Sequence, residues 1–236
     1  MNSIKIQSID IKSSIYPDKL RNILQKHAPK RIYCLGNIDL LTSIGVGFCG
    51  SRHASDKGIE VATDCVEQLV ERNCSIVSGN ASGIDFITHF TALKNKGNTV
   101  LVLPEGINNF TIKKDLEPVW NWQHTLVISE FNPDAIWRSY QAMQRNSTII
   151  ALSQAMIVIE ARDKGGTLEA GKTALRLGCP TYVVEYNDID NLAPGNKLLL
   201  QKGALSLKKS PHTQRANISK IFDDYVHKNE QLDFNF

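Results

Sequence analysis

Four short clusters in this chain carry residue types that can handle an anion or a nucleotide. The first is Gly50-Ser51-Arg52. A tight Gly-Ser turn presents backbone N–H groups, the next helix start adds its positive end, and Arg52 supplies a fork matched to phosphate. Its plainer reading is an ordinary strand-to-helix turn with a surface arginine. Ser55 reads as the cap of the helix that follows. The second cluster is Ser78-Gly79-Asn80-Ala81-Ser82-Gly83-Ile84-Asp85, where two glycines and two serines cradle another helix start. Asp85 falls in the first turn, where the helix dipole favours a carboxylate; it either orients the loop or takes a sugar hydroxyl. The third is Arg145-Asn146 inside a helical pattern, where such a pair usually forms a solvated face. The fourth is Gly165-Gly166-Thr167, which opens a helix and can hold phosphate on its N–H groups.

Residues 166–173 also satisfy GxxxxGK[ST] letter for letter. A phosphate-binding P-loop needs its first glycine directly after a strand and its lysine at a helix start. Here Glu160–Gly165 intervenes, Thr167 reads as an N-cap, and Lys172 falls on an interior turn, which argues against that chemistry. The histidines offer little. His53 neighbours Arg52, and His89, four residues after Asp85 in one helix, reads as its partner. Phe110 and Phe131, just past strand ends, are candidates for stacking on bases or for simple packing. Cys34, Cys49, Cys65, Cys74 and Cys179 form no CxxC pair, and several lie in apolar runs. They read as reduced, buried thiols rather than as a metal site.

Holding these loops along one edge requires a regular frame. Apolar, β-branched runs occur at Ile44–Cys49, Cys74–Val77, Thr99–Leu103, Thr125–Ile128, Ala155–Ile159 and Thr181–Val184. Each is read as closed by Gly, Ser or Asn, as a fully buried strand should be. Helical patterns lie between them at Lys57–Arg72, Gly83–Lys96, Ser139–Leu152 and Thr167–Leu177. The alternation predicts an α/β fold with a mostly parallel sheet and helices on both faces. Ligands in that architecture sit at the carboxyl ends of the strands, where every Gly/Ser-rich loop among these clusters falls. Residues 1–40, rich in Lys and Arg with a helix at Asp18–His27, read as a basic N-terminal appendage. Residues 41–207 form the main domain, and 208–236 a terminal helix and tail.

The 236 residues are 42% hydrophobic and 22% charged, with a formal net charge of +3. That composition excludes collagen-like, disordered and disulfide-scaffold classes. The mild positive balance neither demands nor excludes a nucleic-acid partner. No apolar run approaches the roughly 18–20 residues of a membrane span, and the N-terminus lacks a signal-peptide apolar core, so a cytoplasmic protein with no membrane partner is expected.

Taken together and in order, the motifs are specific. They run Ile32-Tyr33-Cys34-Leu35-Gly36-Asn37, GSR at 50–52, SGNASGID at 78–85, and His89 with Ala92-Leu93. They continue with NTVLVLPEGIN at 98–108, ISE at 128–130, Arg145-Asn146, IIALSQAMIVIEA at 149–161, GGTLEAGKTAL at 165–175 and PGNKLLLQKGA at 194–204. The chain resembles the DprA/Smf family (DNA-processing protein A) of the SLOG-type Rossmann superfamily, over about residues 31–205. The resemblance implies a Rossmann-like domain that binds single-stranded DNA, forms a homodimer and helps load a RecA-type recombinase during natural transformation. No cofactor and no covalent chemistry are implied. It places the DNA over a basic pocket at the strand ends, with Arg52 the leading contact. Gly50, Ser51, Ser78, Gly79, Gly83, Arg145, Gly166 and Thr167 surround it, joined by Asp85, Asn146 and Gly165 from the same clusters.

The sequence departs from the family in several places. The family's RNR reads Arg145-Asn146-Ser147, its SGLARGID reads SGNASGID, and its aromatic-Pro after the third strand reads Phe110-Thr111. Counterparts of its SAM-like and winged-helix domains are not found, which implies a stripped paralogue and leaves open a smaller ligand, a mononucleotide. One rival reading is therefore a nucleotide-sensing module. Another is a LOG-like nucleotide phosphoribohydrolase, whose GGxGTxxE loop resembles Gly165-Gly166-Thr167. The essential carboxylate of that motif falls here on Ala170, and Glu169 stands one residue early, ~100° around the helix.

Overall fold

The alternation of buried runs and amphipathic stretches is realised in full. In chain order the elements are β1 (Gln7–Asp10), α1 (Asp18–Leu24), β2 (Arg31–Gly36), β3 (Gly45–Cys49), α2 (Asp56–Val70), β4 (Ser75–Ser78) and α3 (Ile84–Lys94). They continue as β5 (Thr99–Leu103), β6 (Thr125–Ser129), α4 (Ser139–Leu152), β7 (Ala155–Val158) and α5 (Gly166–Arg176). The last are β8 (Thr181–Val184), α6 (Ile189–Leu192), α7 (Pro194–Gln201) and β9 (Leu205–Leu207). The structure is a computed structural model and describes residues 5–222.

The nine strands among the described residues form one sheet in the order β1-β2-β6-β5-β4-β3-β7-β8-β9. Strands β3 to β9 are mutually parallel where they pair, and β2 and β1 extend that sheet antiparallel beyond β6. From β3 the chain steps outward through β4, β5 and β6, then crosses back to β7 on the other side. The strand order therefore reverses between β3 and β7.

Strands β3 to β8 are buried on both faces, and successive side chains alternate between two cores as the strand period demands. Met156 of β7 joins the core under α4 and α1 with Ile149, Ile150 and Leu20. Its neighbours Ala155 and Ile157 join Cys65, Val66, Leu69 and Ala92 of α2 and α3 on the opposite face. Helices therefore cover both faces, as the sequence pattern requires. Ser55 caps α2 by accepting a hydrogen bond from Gly58 N at 3.1 Å.

The basic N-terminal stretch is not an appendage. Its lysines and arginines mask apolar positions at Ile9, Tyr16, Leu20, Leu24, Ile32 and Cys34, all buried in the core beneath α4. β2 pairs with β6 from Tyr33↔Ser129 to Gly36↔Leu126. The segment's charge content describes only its outer surface, because every second side chain of β2 faces inward. At the other end, Lys209 and Ala216 make an antiparallel bridge and residues 219–222 are helical. The rest of the terminal helix and tail read over 208–236 lies outside the described residues.

One buried side chain fixes the strand ends that matter for function. Asn196 of α7 is fully buried. Its Nδ2 donates to Ile159 O and Val184 O, both at 2.8 Å, and its Oδ1 accepts from Ala161 N at 2.9 Å. It thereby fastens the chain leaving β7 to the end of β8 and sets the course of the 160–167 loop. Among the described residues, no helix is long and apolar enough to cross a membrane.

Candidate functional site

Loops that leave neighbouring strands on opposite sides of an order reversal diverge, and a crevice opens between them. A cavity of about 570 Å³ occupies the crevice at β3 and β7. Gly50, Ser51 and Arg52 line it from β3; Gly165, Gly166 and Thr167 line it from the loop after β7; Asp85, Arg145 and Asn146 line it from α3 and α4. The remaining sequence candidates, Ser78, Gly79 and Gly83, stand behind this wall and shape it.

The glycine pair works as a helix start rather than as a P-loop. Gly165, at φ +112°, turns the chain into α5, and no side chain caps the first amides of the helix. Thr167 is not the cap: its hydroxyl donates to Gly50 O at 2.9 Å and joins the two loops of the crevice. Lys172 lies inside α5 and pairs with Glu169 at 2.7 Å. Glu160 ties the end of β7 to the start of α2, accepting from Ser55 N at 3.0 Å and from the Ser55 hydroxyl.

Asp85 orients its loop. Its Oδ1 lies 2.9 Å from the Ser78 hydroxyl, and its Oδ2 accepts from Ala81 N at 3.1 Å. Both oxygens are thus engaged within the protein. His89 is not the partner of Asp85. Its ring stands 2.7 Å from Gly79 O through Nε2 and 2.6 Å from Thr99 Oγ1 through Nδ1. Burial pushes its pKa down to about 4, so the neutral ring donates from Nε2 to the Gly79 carbonyl at neutral pH. Gly83, at φ +71°, brings the 78–85 loop against the backbone of Ser51 and Arg52, and Ile84 N donates to Ser51 O at 3.1 Å.

Arg145 is the largest departure from expectation. It does not lie on a solvated face; it is 7% exposed, with its guanidinium packed flat against Gly79, where a Cβ would collide with it. Arg52, by contrast, is exposed. Burial pulls the Arg145 pKa down, and the charges of Asp85, Glu105 and Glu130 oppose that pull.

Two groups of site residues escaped the sequence reading. Arg162 and Lys164 line the cavity from the loop after β7. Their position directly beyond a buried strand and before the glycine pair could have marked them. The cavity thus gathers Arg52, Arg145, Arg162 and Lys164 against two carboxylates, Asp85 and Glu160, that already hold internal hydrogen bonds. Cations concentrated in a cleft raise the local potential well above what a net charge of +3 suggests.

The second group is aromatic. Phe110 packs on Trp120 and Trp122, at centroid distances of 5.8 and 6.5 Å, and Phe131 is buried, so both are packing residues. Among the described residues, the exposed large rings are Trp137 and Tyr140, 51% and 62% exposed, at the entry to α4. Trp137 lines the cavity together with Met143.

Comparison with known proteins shows the family and the fold. Residues 7–216 match the family described as DNA recombination-mediator protein A. The DNA processing protein DprA of Streptococcus pneumoniae is 34% identical over 202 residues, covering 85% of this chain and 70% of that protein. Its counterpart in Bacillus subtilis is 29% identical over 204 residues, covering 86% and 68%. The X-ray structure of the pneumococcal protein superposes with a TM-score of 0.76 at 30% identity, over 86% of this chain and 71% of that one. A Helicobacter pylori DNA processing protein A, whose single-stranded DNA binding mode has been described structurally, superposes with a TM-score of 0.74 at 24% identity, over 96% and 98%. The strand-end crevice, the ordered motifs and these likenesses converge: the chain belongs to the DNA recombination-mediator protein A family, DprA/Smf.

Proposed function

We propose that the crevice between β3 and β7 binds single-stranded DNA. The observation that carries this is the convergence in one cavity of four cations, the uncapped start of α5 and an exposed tryptophan. Cations and free amides answer the phosphate backbone, and an exposed ring offers a base a surface to stack on. Arg52 is the leading phosphate contact. Gly50, Ser51, Gly165, Gly166 and Thr167 supply amides, Asn146 supplies an amide side chain, and Ser78, Gly79, Gly83 and Asp85 hold the loops. The names of the pneumococcal and Helicobacter relatives point the same way. On this reading the protein acts in DNA uptake and recombination, passing bound strand to a RecA-type recombinase as a homodimer in the cytoplasm.

The hydrolase alternative is disfavoured by two side chains. Ala170 faces the cavity where that chemistry needs a carboxylate, and Glu169 is paired with Lys172 instead. The test is fluorescence anisotropy with a 20-residue oligonucleotide, single- and double-stranded, at 50 and 200 mM salt. Single-strand binding is expected to exceed duplex binding at least tenfold and to fall steeply with salt. Equal affinity for both forms, or full competition by a mononucleotide at matched phosphate concentration, would reject the reading.

A further inference from the structure

A second cavity, of about 840 Å³, opens on the β8 side of the sheet, between α2, the carboxyl end of β8 and the chain that follows β9. It shares no lining residue with the crevice at β3 and β7. Glu160 faces the crevice, whereas Tyr186, whose hydroxyl donates to Ile159 O at 3.3 Å, faces the second cavity.

Both walls of this cavity are pinned. On one side Asp64 of α2 accepts from Arg215 Nε at 2.5 Å and from Ala216 N at 2.6 Å, and Gln68 Nε2 donates to Ala216 O at 2.9 Å. Arg215 also lies 3.6 Å from Glu67 and from Glu71. On the other side Asn196 Nδ2 holds Val184 O, and the Tyr186 hydroxyl holds the chain leaving β7. Walls fastened at these points keep the space between them preformed, as ligand sites usually are, and its volume lies within the roughly 300–1,000 Å³ of small-molecule sites.

The lining has an apolar interior and a charged mouth. Val61, Val184, Ile189 and Leu207 form the interior beside the Tyr186 ring. At the mouth Lys209 pairs with Glu60 at 2.8 Å and Lys208 with Glu185 at 3.0 Å. Such exposed pairs stabilise little, so their lysines are free to turn to an incoming anion. Lys57, exposed in the first turn of α2, has no ion-pair partner among the described residues, and the Asn187 amide has no hydrogen-bond partner among them.

That balance selects a ligand. The lining carboxylates Glu60, Asp64 and Glu185 are all paired and one cation is left over, so the mouth calls for an anionic group rather than a cation. A bare phosphate is far smaller than the cavity and leaves its apolar interior unused. A ligand that joins an anion to a flat apolar body satisfies both parts. The body lies against Tyr186 and the aliphatic side chains, the anion among Lys57, Lys208 and Lys209, and the Asn187 amide meets its polar edge.

We propose that this cavity is a second ligand site, separate from the crevice, for a small molecule with the chemistry of a nucleoside monophosphate. The proposal is independent of what the crevice binds.

The test is equilibrium dialysis of the full chain with labelled adenosine 5′-monophosphate, with adenosine and inorganic phosphate as competitors. A single site per chain is expected, with a Kd of roughly 10–100 µM, near the ligand-efficiency bound for a molecule of that size. Adenosine and inorganic phosphate should each compete at least about tenfold more weakly, since each carries only part of the recognised chemistry. Lys57→Glu should weaken binding about tenfold and melt like wild type, because the side chain is exposed and unpaired. Val61→Trp, which fills the apolar interior, should abolish binding; if it fails to fold, Lys57→Glu decides. An excess of an all-thymidine 20-mer, and the Arg52→Ala change, should leave binding as it is. Absence of adenosine 5′-monophosphate binding overturns the site. Displacement by the 20-mer also overturns it, because the ligand then sits in the crevice. Equal competition by inorganic phosphate overturns it in favour of surface lysines alone, and so does unchanged binding in Lys57→Glu or in folded Val61→Trp.

Discussion

Gly83→Ala is expected to lower stability by about 3–5 kcal/mol and to abolish single-strand binding in the protein that still folds. Two costs add at this position. The backbone sits at φ +71° and ψ −126°, a conformation that L side chains rarely adopt. A Cβ there would also collide with Ser51 O and the backbone of Arg52, which cannot swing aside as a flexible side chain would. The alanine therefore pushes apart the two loops whose contact shapes the crevice, and the Ile84 N to Ser51 O hydrogen bond goes with it. For a chain of this size the melting temperature should fall by roughly 10 °C. Gly178→Ala is the matched comparison: its φ of +69° is also positive, but no atom lies within 4 Å of the added Cβ. It should cost only the backbone strain, on the order of 1–2 kcal/mol, and leave DNA binding intact. Equal losses in melting temperature for the two variants would show that the loop contact contributes nothing.

Trp137→Ala is expected to weaken single-strand binding by roughly 10- to 100-fold with the melting temperature unchanged within about 2 °C. A base stacked on an aromatic ring contributes about 1–3 kcal/mol, and that contribution disappears with the ring. Stability is spared because the side chain is 51% exposed and belongs to no core cluster. Trp137→Phe should recover most of the affinity, since a smaller π-face still stacks. Tyr140→Ala should behave like Trp137→Ala with a smaller loss, because Tyr140 stands one turn further along and does not line the cavity. The salt dependence separates this effect from charge: stacking variants keep the wild-type slope. A Trp137→Ala variant that binds like wild type would remove the aromatic part of the account.

Much of the frame was legible because each signal was local. Buried strands such as Thr99–Leu103 and Thr181–Val184 are continuous apolar runs with sharp ends, and the structure reproduces those bounds. The three glycine-rich clusters were legible for a related reason: in a parallel sheet, loop position follows from strand order, so glycine-rich loops after strands must share one rim. β2 was lost because a half-buried strand under a basic surface, Arg31–Gly36, carries its information in alternation that the charges dilute. β9, only Leu205–Leu207, is too short to leave a period.

Within the site, what failed was burial rather than identity. Arg145 was marked as a site residue, but helical periodicity could not say that its guanidinium is buried against Gly79, because that depends on α4 crossing the 78–85 loop. The missing side chain of Gly79 makes the space, and neither residue announces the other in one dimension. The same holds for His89, which binds Gly79 O rather than its helical neighbour Asp85. Trp137 stood in plain view in the sequence, but nothing local distinguishes an exposed tryptophan from the partly buried pair Trp120 and Trp122.

The central claim is that phosphate is held at the turn after β3. The most direct measurement is the salt dependence of single-strand affinity for wild type, Arg52→Ala and Arg176→Ala. Arg176, at the last turn of α5, removes the same charge away from the crevice. Arg52→Ala is expected to bind about tenfold more weakly at 50 mM salt and to flatten the slope of log affinity against log salt by about 0.7, one phosphate contact on a single strand. Arg176→Ala should keep the wild-type slope. Identical slopes and affinities for Arg52→Ala and wild type would contradict the account.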